Sequence, residues 1–145
     1  MELEKLKKED FTADVVVRGE PGIRFGKTGL IAINKSAVKH LKLYDEKNNK
    51  FYGVSFLQDT KHNGDLYIMR DDNGWELRGT NKEGVCIAVF NNTALCHHVI
   101  DVTWDHYTSH PLGAEKPCSY HFCIAIMPAD DGKNKNVFAL LRKKE

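Results

Sequence analysis

No apolar run in this chain is longer than six residues, and the runs are separated by glycine-rich or asparagine-rich turns. Val85 to Phe90 and Phe122 to Met127 are the longest of them. Six residues suit a strand of ordinary length, whereas a membrane-spanning helix needs roughly 20. The sequence therefore predicts a β-rich fold with no membrane span. At 145 residues, 41% hydrophobic and 28% charged, it has the size and composition of one hydrophobic core.

Residues 1–10 read as a charged arm, and 11–145 as one α+β domain, mainly antiparallel. Ala13 to Arg18, with its consecutive valines, is expected as the first strand, followed by a turn at Glu20-Pro21-Gly22. Ile23 to Ile33 reads as extended structure bent at Gly26 and Gly29. Asn34 is placed to cap a helix whose apolar face is Ala37, Val38 and Leu41. Asn63-Gly64 and Asn73-Gly74 are hairpin signals, so Lys50 to Gly79 is expected as a three-stranded meander. The pattern then repeats. An offset of 57 residues pairs Asn34 with Asn91 and Ala37 with Ala94, which predicts a second helix capped by Asn91 over Thr93 to Ile100. An irregular insert from Thr103 to Pro117, an alternating strand through Ile126 and a closing strand Val137 to Arg142 complete it. Two units of strand, short helix and hairpin, 23–79 and 84–142, would be able to form a small barrel.

Gly26-Lys27-Thr28 looks like the end of a phosphate-binding loop, but Pro21 stands where that loop needs its first glycine, so a plain turn is expected. Five of the seven histidines and three of the four cysteines fall between Cys96 and Cys123. These are zinc-ligand types, and His106, His110, His121 and Cys123 are the candidate set; yet the spacing fits no compact zinc motif. The competing reading makes Cys96 and Cys123 small buried fillers and leaves the histidines on a loop. Cys123 or Ser109 with Asp101 or Asp105 supplies the residue types of a nucleophilic site, without a local signature. No cofactor is expected. The pairs Asp71-Asp72 and Asp130-Asp131 lie beside glycines and read as turns.

The net charge of +1 conceals a basic segment. Between Arg24 and Lys50 seven basic residues face two acidic ones, a local +5. Arg24, Lys27, Lys35, Lys39 and Lys42 are the candidate contacts to nucleic-acid phosphates. The same segment, GLIAINKSAVKHLKL with the polar turn and strand after it, resembles the AbrB-type swapped-hairpin DNA-binding domains of bacterial transcription regulators and antitoxins. Ile33, Lys35 and Leu41 match that family's pattern. Asn34 stands in place of its proline, Lys42 in place of a frequent glycine, and Asp45-Glu46-Lys47-Asn48-Asn49 in place of its glycine-aspartate turn. The resemblance implies a barrel normally built from two chains, with the basic loop and helix facing DNA.

The leading expectation is accordingly a non-enzymatic, cytoplasmic, DNA-associated regulatory protein. The alternatives are a structural or protein-interaction component of phage or mobile-element type that acts through homo-oligomerisation, and a zinc-binding protein. Reduced thiols are expected, since no apolar leader follows the charged N-terminus.

Overall fold

A computed structural model describes residues 19–59, 61, 65–82, 85–106, 112–129 and 136–142. The expected arm, the strand at 13–18, the Asn63-Gly64 and Asp130-Asp131 turns, Ser109 and His110 lie outside the described residues. The elements are β1 (Gly22–Gly26), β2 (Leu30–Ile33), α1 (Lys35–His40), β3 (Tyr44–Asp45), β4 (Lys50–Phe51), β5 (Val54–Gln58), β6 (Leu66–Arg70), β7 (Arg78–Lys82), β8 (Val85–Asn91), α2 (Thr93–His106), β9 (Ser119–Ile124) and β10 (Val137–Arg142). Eight of the strands form one antiparallel sheet in the order β5-β6-β10-β9-β1-β2-β8-β7, and β3-β4 is a separate two-stranded ribbon. None of the described helices is long and apolar enough to cross a membrane.

Period-two patterning explains which face of each strand is buried. Ile23 and Phe25, Ile31 and Ile33, Ala88 and Phe90, and Tyr120, Phe122 and Ile124 all point into one core. The sheet is strongly curled. Phe25 on β1 and Phe56 on β5 are four strands apart, ~19 Å in a flat sheet at ~4.8 Å per strand, yet their ring centroids are 5.5 Å apart. Phe56 and Phe90 are six strands apart and their centroids lie within 6.2 Å. The result is a half-barrel wrapped around aromatic side chains, with α1 against β8 and β1 and α2 against β1 and β2.

Several elements differ from the sequence expectation. The three-stranded meander is a two-stranded one, because the chain turns at Asp71 to Gly74 and returns to the free side of β5 instead of continuing along β6. There Trp75 and Val54 exchange two backbone hydrogen bonds, of 2.8 and 3.1 Å. The turn requires glycine at 74, since a Cβ would stand 2.1 Å from the Val54 carbonyl oxygen. The free side of β6 is taken by β10, and β7 pairs with β8. Gly22 opens β1 rather than belonging to the preceding turn, β9 stops at Ile124, and Ile126 is exposed. The second helix runs on to His106, six residues past the expected end, because Cys96, Val99, Ile100 and Thr103 continue the buried stripe at helical spacing.

The caps differ as well. Asn34 caps α1 as expected: its Oδ1 accepts from Ala37 N at 2.8 Å and from Gly22 N at 3.1 Å, and its Nδ2 donates to Glu20 O. The cap of α2 is Asn92, whose Oδ1 accepts from Leu95 N at 2.9 Å, whereas Asn91 ends β8 opposite Leu30. Two adjacent asparagines are indistinguishable in sequence; pairing to β2 decides between them. Asn92→Ala is therefore expected to destabilise the protein by about 1 kcal/mol and Asn34→Ala, which also frees Gly22 N, by about 2 kcal/mol. Asn91→Ala is expected to stay within about 0.5 kcal/mol of wild type. Urea unfolding of the three variants checks the assignment.

Candidate nucleic-acid interface

Helix α1 is short but firmly fixed. Ala37, Val38 and Leu41 are buried against the sheet, so Lys35 and Lys39 fall on the remaining side at i and i+4, and Lys42 follows just past the end of the helix. Lys35 is half-buried, and Lys39 and Lys42 are exposed. The first turn contains no acidic residue. Among the described residues, none of these lysines makes an ion pair.

The end of the helix carries an unusual residue. Leu43 N donates to Val38 O at 2.9 Å and Lys42 N to Lys39 O at 3.2 Å, the two bonds of a Schellman motif, with Leu43 buried behind them. That motif needs a left-handed residue, usually glycine, and here Lys42 occupies it at φ 54°. A lysine side chain in this conformation costs about 1 kcal/mol relative to the right-handed region. Arg70 steadies the same corner from β6: its Nη1 donates to Lys42 O at 3.2 Å and its guanidinium lies 4.1 Å from the centre of the Tyr52 ring. Asp72 stands 3.9 Å from Arg70 Nε. The Ser55 hydroxyl and Asn73 N both donate to Asp71, which holds its carboxyl below the ordinary carboxylate range and keeps it within its own turn.

The five basic residues singled out from sequence are only partly brought together. Lys35 and Lys39 share the exposed side of α1, and Lys42 stands at the turn that ends it. Arg24 is exposed on the outer face of β1, between Ala32 of β2 and His121 of β9. Lys27 lies in the β1–β2 turn, at the opposite end of the hairpin from α1, where its carbonyl accepts from His97 Nε2 at 3.1 Å. The hairpin thus carries Lys27 away from α1, whereas Arg24 lines the same hollow as Asn34, the cap of the helix. Arg70 was not foreshadowed, because only the fold carries the end of β6 to the end of α1. Gly26-Lys27-Thr28-Gly29 is a tight turn, closed by a 2.9 Å bond from Gly29 N to Gly26 O, as expected in place of a phosphate loop.

The histidines and cysteines disperse. Cys96 is fully buried on α2, and burial raises its thiol pKa. Cys123 is only half-buried, which corrects its expected role as a core filler. With His121 it lies on the outer face of β9, and its thiol donates to Glu20 Oε2 at 3.0 Å. His98 is hydrogen-bonded to Gln58, and His106 sits at the end of α2. Among the described residues no three histidine, cysteine or acidic side chains are placed to hold a metal ion. Asp101 accepts from Lys116 at 2.8 Å, a contact that holds its carboxyl below the usual range.

No family model, curated protein or solved structure matches this chain.

Position 42 separates charge from conformation. Lys42→Gly relieves the left-handed strain, and the variant is expected to be more stable than wild type by about 0.5–1 kcal/mol in urea unfolding. A loss of stability would mean that the side chain itself holds the corner together.

Proposed function

We propose that this protein is a non-enzymatic, DNA-associated regulatory module that binds the phosphate backbone through α1. The observation that carries this reading is the pair Lys35 and Lys39 on the exposed side of α1, followed at its end by Lys42, a lysine at a position where glycine would be relaxed. Residues four apart on a helix lie ~6 Å from one another, close to two ~3.4 Å steps along one DNA strand. Unpaired ammonium groups at that spacing can each displace a counterion.

The topology supports a duplicated origin for the barrel. β1, β2, α1, β5 and β6 correspond to β7, β8, α2, β9 and β10 about an axis between β2 and β8 and between β6 and β10. Both central pairs are antiparallel, as a two-fold axis requires, although β6–β10 is contributed by the two following hairpins. Asn34 and Asn92 make the same cap bond, and their carbonyls accept from Val38 N and Cys96 N at 3.0 and 3.1 Å. The matching offset is 58 residues, which sets Thr93, His97 and Ile100 against Lys35, Lys39 and Lys42. Only the first unit carries these lysines. This arrangement fits the resemblance to AbrB-type domains, with one chain supplying both halves.

Fluorescence anisotropy with random-sequence duplex DNA tests the reading. Three phosphate contacts predict a slope of log affinity against log salt of about −2.7, and each lysine removed lowers its magnitude by about 1. Lys35→Glu with Lys39→Glu is expected to abolish binding at low salt. Binding that persists in this variant, or that ignores salt, would sink the proposal.

A second reading has its own observation. Leu30 and Ile87 are 43% and 39% exposed on the outer faces of the adjacent strands β2 and β8, with Leu141 52% exposed on β10. Leu30 and Ile87 stand toward opposite ends of the β2–β8 pair, and association of copies along the outer side of that pair would suit the structural, oligomer-forming alternative. Light scattering across a concentration series is expected to show an oligomer that Ile87→Lys dissociates; a wild-type monomer at every concentration ends this reading.

A further inference from the structure

The β3–β4 ribbon has no place in the main sheet. Each of its strands is two residues long, and Glu46 to Lys50 are all exposed. Its root is nonetheless rigid. Leu43 is fully buried, Tyr52 N donates to Leu43 O at 2.7 Å, and the Tyr44 and Phe51 rings pack with centroids 4.8 Å apart. Its tip is ordered from within: Asp45 accepts from Lys47 N at 3.0 Å, from Asn48 Nδ2 at 2.7 Å and from the Tyr52 hydroxyl at 3.2 Å. These bonds occupy the Asp45 carboxylate and hold its pKa down. Tyr44 donates to Asn49 Oδ1, and Asn49 adopts φ 50° to close the turn. What projects is Glu46, Lys47 and Lys50, together with Asn48 Oδ1 and Asn49 Nδ2, which among the described residues take no part in the bonds that order the tip.

We infer that this ribbon is the base-reading element of the proposed DNA-binding face and enters the major groove beside the phosphates held by α1. The inference rests on the DNA-binding reading. The major groove is ~12 Å wide and ~8.5 Å deep and admits a two-stranded β-ribbon. Three residues of extended chain from Leu43 to the tip reach ~10 Å, enough to touch base edges. The Asn48 oxygen can accept from adenine N6 or cytosine N4, the Asn49 amide can donate to a purine N7, and lysine meets guanine O6 and N7; each asparagine offers one bond, because its other amide atom is held within the tip. The lysines of α1 supply affinity without sequence information, whereas the amides at the tip supply information with little charge. The Schellman turn at Lys42 joins the two with no slack, so the helix sets the register of the ribbon.

Selection from a randomised duplex library, followed by anisotropy on the enriched and random sequences, tests this. Wild type is expected to prefer the enriched duplex by about tenfold or more, the size of one good base contact. Asn48→Ala with Asn49→Gly leaves every charge in place, and because it also removes the tip bonds to Asp45 and from Tyr44, Tyr52→Phe, which loosens the tip without touching the amides, is the control and is expected to keep the preference. The double variant is expected to bring the preference close to one while random-duplex affinity and salt slope stay at wild-type values. An unchanged preference in that variant, or a wild type that binds random duplex but enriches no sequence, overturns the inference and leaves the phosphate-binding reading standing. A wild type that binds no duplex at any salt removes both.

Discussion

The contact of the Phe56 ring with Phe25 and Phe90 is the constraint on which the rest of the structure depends. It joins an edge strand to strands four and six places away, which is possible only if the sheet closes most of a circle. Once it does, the inward positions of β1, β2, β8 and β9 share a single interior, and the helices are left to cover what the curl does not. The exposed side of α1 follows from this. Its apolar stripe must face the sheet, so its lysines must face away.

Much of this was legible from residue patterns, and the exceptions have physical causes. Apart from β7, whose sequence carries no alternation and was not expected as a strand, the strands of the half-barrel and the first cap follow from extended apolar runs and from one well-placed asparagine. Asn92 in place of Asn91 could not be read, because the choice depends on which residue still pairs with β2. The meander failed for a related reason: Asn73-Gly74 announces a turn but not its direction, and it is the close approach of Gly74 to Val54 that returns the chain to β5. The second helix overran its expected end at Ile100 and took in the start of the expected insert at Thr103, although Val99, Ile100 and Thr103 keep the helical period.

At the candidate interface, sequence located the helix and its lysines but not their full surroundings. Lys27 is near α1 in the chain and at the far end of the hairpin in the fold, while Arg70, distant in the chain, bonds to Lys42 at the end of α1. The histidines and cysteines between 96 and 123 are likewise dense in sequence and dispersed among the described residues of the fold. Residues at successive positions of a helix and a strand point to different sides, so their closeness in sequence conveys little about their meeting in space.

The Trp75 bridge has a consequence for how the molecule breathes. Everywhere else around the half-barrel neighbouring strands are laced by ladders of three to five residue pairs, but between β5 and the chain leading to β7 there is one pair. The free energy of local opening scales with what must be broken, so this seam is the natural line of parting. Opening there exposes Phe56 and Trp75 while the β9–β1–β2–β8 wall stays intact. The module is thus built as a stiff wall with a latch opposite it, and the latch lies on the aromatic side of the core, away from the hairpin that leads into α1.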